Sequence, residues 1–513
     1  MLLVENPPPS DLRRPAGSLV HQRPWLIVVA LAALTCLLGW VPFMGRPLSP
    51  DESGLLMVAR QWGPGDSLYG NYWVDRPPVL IALVALGNLL GGAWGLRLLG
   101  VITVFCSVLL AGRLGRTVAP DRPTAPLVPA ATAAVLLGTP LFGGSVVNAE
   151  LLGLPLILGG LIAAINSTRA PTSREALWWG VAAGAAGAGA ALTKQNLLDV
   201  FVFGLALLLV SVVTRARRGV RGGVARDGRP TEAATALGAT AGAAAVLALA
   251  VGGAAALGTG PAELWSAVVS FRWEAASVLL ESPSSGPRLQ VLLWALLGSG
   301  APLLLGVLLV HLRRGEAVGS EHVDLRLPAL AVVAWEATAV LVGGSYWLHY
   351  LIGLVPGLVL LAAVTDLRAR IRRSVSIVLA MLTVSTLCAI AWVGVHPIDR
   401  SEQEVASYLA ARAQPGDTAV VTFGVASILE SAGLESPYPN LWSLPVRVRD
   451  AHLHELAALL AGPDRPTWLV ISGIGLGSWG IDTSAAQPYI AKHYDRIDDV
   501  AGYRIFREKR SQP

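Results

Sequence analysis

The run Trp25-Leu-Ile-Val-Val-Ala-Leu-Ala-Ala-Leu-Thr-Cys-Leu-Leu-Gly-Trp-Val-Pro-Phe-Met44 carries no charge over 20 positions. A helix needs about 20 apolar residues to cross the hydrocarbon core of a bilayer. The run therefore reads as a membrane span. No small-residue cleavage site follows it, so it reads as an uncleaved helix rather than a signal peptide. Ten further apolar runs, long enough to cross or nearly so, lie at 97–112, 125–142, 149–166, 176–193, 197–213, 233–257, 289–310, 327–345, 347–365 and 374–395. A shorter apolar segment, 79–90, follows Pro77-Pro78. The expected fold class is an α-helical polytopic membrane protein with about eleven transmembrane helices.

Composition agrees. The 513 residues are 53% hydrophobic and 14% charged, against about 25% charged in soluble proteins. This excludes disorder and a single large soluble domain. The charge is unevenly spread. Residues 398–513 hold 11 Lys+Arg and 14 Asp+Glu, net −3, whereas residues 1–397 hold 28 and 20, net +8. The tail has soluble composition and the rest has membrane composition. The excess of basic residues belongs at membrane edges and does not call for nucleic acid as a partner. Cys36, Cys106 and Cys388 lie in apolar runs, with neither a disulfide framework nor metal-ligand spacing.

Arginine placement sets the orientation. If 79–90 does not cross, one side of the membrane collects Arg13, Arg14, Arg23, Arg113, Arg116, Arg122, Arg169, Arg174, the run from Arg215 to Arg229, Arg313, Arg314, Arg326, and Arg368 to Arg373. Positive residues favour the cytoplasmic side. The expected organisation is a cytoplasmic N-terminal segment 1–24 and a transmembrane part 25–397 with outer loops 45–96 and 258–288. An extracytoplasmic α/β domain, 398–513, completes it. Segment 79–90 would lie along the outer surface or dip in and return. In the tail, 418–423, 467–472 and 503–506 read as strands, and 402–413, 451–461 and 484–493 as helices. The Arg/Gly-rich stretch 215–230 reads as a solvated loop. Gly475-Leu-Gly-Ser-Trp-Gly480 matches a dinucleotide-binding spacing, but too little chain follows, so it reads as a loop.

The polar residues cluster on the outer side. Asp51-Glu52 follows the first span, behind Pro50. Adjacent carboxylates there suit acid/base or metal chemistry, or simply a helix N-terminus. Asp75-Arg76-Pro77-Pro78 leads into 79–90. Glu150 opens the fourth span. Lys194-Gln195-Asn196 joins the fifth and sixth spans, and Lys194 is the only lysine before residue 398. It either snorkels to the interface or belongs to a polar cluster. His349-Tyr350 opens the tenth span. Glu336 lies mid-span, where a carboxylate faces a polar cavity or serves a structural hydrogen bond. The loop 258–288, with Arg272, is long enough for a surface helix over a site. Carboxylates, a few cations and an apolar bundle on one membrane face suit group transfer from a lipid phosphate.

In this order the motifs resemble the C-type membrane glycosyltransferases that use polyprenyl-phosphate sugars, in the branch of the bacterial protein O-mannosyltransferases and the lipid A aminoarabinose transferase. The resembling elements are Asp51-Glu52, Arg76-Pro77-Pro78-Val79, Ala149-Glu150-Leu-Leu, Leu192-Thr-Lys-Gln195, and His349-Tyr350-Leu followed by Pro356. The resemblance implies the C-type glycosyltransferase fold in a bacterial cell membrane. It implies an inverting transferase with Asp51 as general base and Glu52 placing acceptor or sugar. Arg76, Lys194, Arg272 and His349 would hold the leaving phosphate, with Gln195 and Tyr350 beside the substrates. Glu150 would contact sugar, acceptor or, with Asp51, a divalent metal ion. The partners implied are a polyprenyl-phosphate-linked sugar of mannose or arabinose type and a protein, glycolipid or cell-wall glycan acceptor. Two other readings are a multi-pass transporter or flippase of lipid-linked sugar, and a membrane-anchored sensor. The first favours inverted repeats and midplane polar groups, and no repeat is evident. The second leaves eleven spans unexplained.

The arginine distribution generates a topology prediction. A reporter fused after Arg221 will be active only as a cytoplasmic marker, and one fused at Ser436 only as an extracytoplasmic marker. Reversed activities would overturn the orientation.

Overall fold

The computed structural model describes residues 17–220, 229–280, 282, 284–314, 324–365, 369–473 and 475–509. Most of the N-terminal segment 1–24 and residues 221–228 of the Arg/Gly-rich stretch lie outside the described residues, while 215–220 and 229–230 continue helices rather than form loop. The membrane part runs through α1 (Gly17–Gly39), α2 (Pro50–Arg60), α3 (Pro78–Leu89), α4 (Ala93–Val118), α5 (Leu127–Gly138), α6 (Ala149–Thr168), α7 (Ser173–Ala191) and α8 (Asp199–Val220). It continues with α9 (Arg229–Ala256), α10 (Pro261–Trp265), α11 (Phe271–Leu280), α12 (Ser285–Ser299), α13 (Ala301–Arg314), α14 (Arg326–Val342), α15 (Val355–Val364) and α16 (Ala369–Val395). Each of the eleven apolar runs carries helix, and so does segment 79–90.

Among the described residues, five helices are long and apolar enough to cross a membrane alone, and α12 with α13 passes the same test as a pair bent by 59° at their break, a broken span or a re-entrant loop. Gly300 sits at that bend with φ +76°, a conformation that favours glycine. Shorter apolar helices occupy 78–89, 127–138, 199–214 and 348–364. The lipid-facing surface is apolar: Leu249, Val384 and Val395 are among its exposed side chains. The helices associate through small residues, since lipid removes the hydrophobic drive between them. Gly184 of α7 lies against the Ala239 carbonyl of α9, where a Cβ would collide with backbone.

The tail holds α17 (Ser401–Ala410), α18 (Ala426–Ala432), α19 (Ser443–Arg449), α20 (His454–Ala461) and α21 (Gln487–His493) around a four-stranded sheet. The strands are β1 (Ala419–Val421), β2 (Trp468–Ser472), β3 (Tyr494–Val500) and β4 (Tyr503–Glu508), in the order β1-β2-β4-β3. β1 and β2 are parallel and the other pairings antiparallel. The expected strands and helices are present within a few residues. β3 was not expected. It is an edge strand whose Asp495, Arg496, Asp498 and Asp499 are exposed, so it lacks the apolar alternation that marks a half-buried strand.

The tail docks directly on the membrane part. Trp73 donates its backbone N–H to the Pro439 carbonyl at 3.0 Å. The Tyr72 hydroxyl accepts from Ser436 N at 3.0 Å. Arg60 pairs with Glu430. The Trp442 ring lies so close to Gly54 of α2 that a Cβ there would overlap it.

Helix α2 carries the first acidic pair, and its start is tied in place. Ser49 Oγ accepts from Glu52 N at 3.2 Å, and Glu52 Oε2 accepts from Ser49 N at 2.9 Å. This is a capping box. Glu52 Oε1 accepts from Val147 N at 3.1 Å. Arg97 Nη1 donates to the Met44 and Arg46 carbonyls at 2.6 Å, and its Nη2 donates to the Pro47 carbonyl at 2.9 Å and Glu52 Oε2 at 3.3 Å. Glu52 is completely buried in this knot. Removing one member of a buried ion pair costs about 3–5 kcal/mol. Glu52→Gln will therefore lower the thermal unfolding midpoint by several degrees in detergent, while ligand binding measured below the new midpoint stays near wild type. An unchanged midpoint with lost ligand binding would place Glu52 in a substrate site instead.

Candidate active site

A cavity of about 1030 Å³, mouth included, opens at the face where α2, α6 and the tail meet. Its wall includes Asp51, Asp75, Arg76, Glu150, Lys194, Arg272, His349 and Tyr350. These come from six separate stretches of chain. Asp51 stands in the first turn of α2, after the Ser49 cap and Pro50. Asp75 and Arg76 stand just before α3. Glu150 sits in the first turn of α6, whose cap Asn148 accepts from Leu151 N at 2.9 Å. Lys194 lies in the tight turn between α7 and α8. Arg272 comes from α11, and His349 and Tyr350 from the helical turn Leu348–Leu354 before α15.

Most of the opposite charges are already paired. Arg272 Nη2 lies 2.5 Å from Asp75 Oδ2, and Arg76 Nη1 lies 3.3 Å from Asp75 Oδ1. Burial alone would raise the Asp75 carboxyl, but Arg272 and then Arg76 outweigh it and hold it below the usual carboxylate range. This clasp persists through neutral pH and loosens only on acidification below that range. Lys194 pairs with Glu150, and its ammonium lies 4.1 Å from the centre of the Tyr350 ring. The His349 ring meets Tyr350 edge-on at 5.1 Å.

Two of the expected site residues do not line the cavity. Glu52 is consumed by the knot at the start of α2. Gln195 props the wall from behind, donating to the Asp75 carbonyl at 2.8 Å and the Val268 carbonyl at 3.2 Å. Glu336 faces inward and accepts from Gly357 N at 2.7 Å. With Asp199 it borders a smaller cavity of about 300 Å³ that shares Glu150 and Tyr350 with the main one.

The tail supplies residues that sequence reasoning missed. Trp442 Nε1 donates to Asp51 Oδ1 at 2.9 Å. Arg447 and Trp479 also line the cavity, as does Arg288 from α12. Trp479 belongs to the Gly475–Gly480 stretch, a turn that ends in the short 3-10 helix Ser478–Gly480. Trp442 Nε1 and Asp51 come together over 391 positions, and no local pattern announces such a contact. Glu52 was readable, because Ser49-x-x-Glu52 has the spacing of a capping box.

Among the described residues no three His, Cys, Asp or Glu side chains converge to hold a metal ion. Asp51 and Glu150, the candidate ligands, are instead engaged by Trp442 and Lys194.

No protein-family model matches the chain, and no curated protein sequence does. Solved structures are similar in fold. ArnT from Cupriavidus metallidurans bound to undecaprenyl phosphate is 15% identical, with a TM-score of 0.57 over 95% of this chain and 98% of that one. Its apo form is 14% identical, with a TM-score of 0.58 over 94% of this chain and 98% of that one. The arabinofuranosyltransferase AftD from Mycobacteria is 16% identical, with a TM-score of 0.48, and this chain spans 42% of its length. The chain is a polytopic membrane protein with the C-type glycosyltransferase fold.

Proposed function

We propose that this protein is a membrane glycosyltransferase. It moves a sugar of mannose or arabinose type from a polyprenyl phosphate to an acceptor hydroxyl, with inversion. The undecaprenyl phosphate bound to a protein of the same fold supports a lipid-phosphate donor. The acceptor belongs to the protein, glycolipid or cell-wall glycan class. In the orientation that the arginines favour, the cavity faces outside the cytoplasm and the tail covers it.

One observation carries the assignment of Asp51. Three carboxylates line the cavity. Asp75 is taken by Arg272 and Arg76, and Glu150 by Lys194. Asp51 alone has no cation at ion-pair distance among the described residues. One of its oxygens is fixed by the Trp442 indole, and the other accepts no hydrogen bond from the described protein. A carboxylate that is oriented but not neutralised is suited to take a proton.

In the reaction the acceptor oxygen attacks the anomeric carbon. The acceptor proton passes to the open Asp51 oxygen as the bond between that carbon and the phosphate oxygen breaks. Attack from the face opposite the phosphate inverts the centre. The lipid phosphate leaves with the bonding electrons, and the cationic wall stabilises the charge that grows there. No nucleotide enters this step.

Purified protein in nanodiscs, given a polyprenyl-phosphate sugar and an acceptor, will transfer sugar. Asp51→Asn keeps the shape and the indole contact but cannot take the proton. It will lose about 10²–10⁴-fold in turnover, the usual contribution of a general base, with donor binding retained. Wild-type turnover in Asp51→Asn would reduce Asp51 to a helix-start residue.

A further inference from the structure

A second group of buried acids stands behind the main cavity. The smaller cavity of about 300 Å³ is walled by Asn196, Asp199, Trp335 and Glu336, and it shares Glu150 and Tyr350 with the larger one. Asp199 and Glu336 are 2% and 3% exposed, and their carboxyls lie within hydrogen-bonding reach of each other. Lys194 is already bonded to Glu150. Among the described residues no cation lies at ion-pair distance from Asp199 or Glu336, and no Lys, Arg or His lines this cavity. Buried charge is costly unless it is paired.

The oxygens of this cavity are fixed in place and under-used. Glu336 Oε1 accepts from Gly357 N at 2.7 Å, and a Cβ at Gly357 would overlap the same carboxylate, so a glycine there is what admits it. Trp335 Nε1 donates to the backbone carbonyl of Asn196 at 3.1 Å and so ties α14 to the turn before α8. Asp199 Oδ1 and Asn196 Oδ1 are buried and accept no hydrogen bond from the described protein. A proton shared by the two carboxyls would leave both of these oxygens bare. Water would satisfy the oxygens but leave the charge. A metal cation answers both needs at once.

We infer that Asp199, Glu336 and the amide oxygen of Asn196 hold one hard divalent cation of the calcium or magnesium class. The donor set is all oxygen, which is what such cations select. Two carboxylates balance the double charge, the amide supplies a third ligand, and water completes the shell. Asn196 stands in the turn that carries Lys194, Asp199 opens α8, and Glu336 lies within α14. The cation therefore fastens that turn to α14 and, through the bond from Gly357 to Glu336, to α15. It goes beyond the transferase reading: the ion braces the elements beside Glu150 and Tyr350 and takes no part in the chemical step.

The test strips the full chain of metal with a chelator in phosphatidylcholine nanodiscs and adds back calcium, magnesium or zinc. It reads the metal bound per chain, with empty nanodiscs subtracted, and the thermal unfolding midpoint. Calcium or magnesium will bind once per chain and raise the midpoint by several degrees. Asp199→Asn and Glu336→Gln will each weaken that binding about tenfold or more, because affinity follows the charge of the ligands. Asn196→Leu will weaken it less, and Asp51→Asn will bind the ion as the wild type does. The wild-type measurement decides even if a variant fails to fold: a stripped chain that takes up neither calcium nor magnesium overturns the site and leaves the two carboxyls joined by a proton. Uptake that survives both Asp199→Asn and Glu336→Gln, or that is lost in Asp51→Asn, puts the ion elsewhere and overturns the site as well. Uptake of zinc alone overturns the assignment to a hard cation.

Discussion

The contact between Arg97 and the loop that follows the first span holds the rest of the site in register. One guanidinium gathers the carbonyls of Met44, Arg46 and Pro47 and reaches Glu52. Glu52 in turn closes the cap of α2 and accepts from Val147, next to the start of α6. Thus the first turn of α2 and the first turn of α6 are fixed against each other. Those two turns carry Asp51 and Glu150. A buried ion pair is weak evidence for stability, but here its bonds to backbone groups set a geometry that packing alone would leave loose.

From that frame the electrostatics of the cavity follow. Acidic and basic groups that face each other across the wall have paired: Asp75 with Arg272 and Arg76, Glu150 with Lys194. Pairing narrows the chemistry, because a neutralised carboxylate is a poor base and a neutralised cation is a weaker anion site. Among the described residues, the cavity charges with no opposite charge at ion-pair distance include Asp51, Arg288 and Arg447. Two of these depend on the tail, Asp51 through Trp442 and Arg447 as a part of it. The tail is therefore part of the cavity and not merely an appended domain.

The sequence made the membrane part readable because long apolar runs have few structural alternatives. All eleven runs carry helix, though several of those helices are short. The polar positions on the cavity face were also readable, since charge is rare in this part of the chain and its placement stands out. Glu52 and Gln195 were singled out with them, yet they hold backbone rather than line the cavity. What separates Gln195 from the lining residues is a distant partner, Val268, whereas Glu52 also carried a local sign, its capping-box spacing from Ser49. The tail was less readable. β3 is a charged edge strand, and Trp442 looks like any core aromatic until α2 is packed beneath it. Arg288 and Arg447 belong to no pattern in the sequence, and only the fold brings them to the cavity wall.

The central claim is that a polyprenyl-phosphate sugar is consumed at this cavity. Lipid and glycan mass spectrometry of a strain lacking this chain, complemented by the wild type or by Asp51→Asn, tests it most directly. The account predicts that a polyprenyl-phosphate sugar accumulates and one glycosylated product disappears. Wild type will restore both, and Asp51→Asn will restore neither while being present at normal level in the membrane. An unchanged lipid-linked sugar pool with every glycan intact would contradict the account.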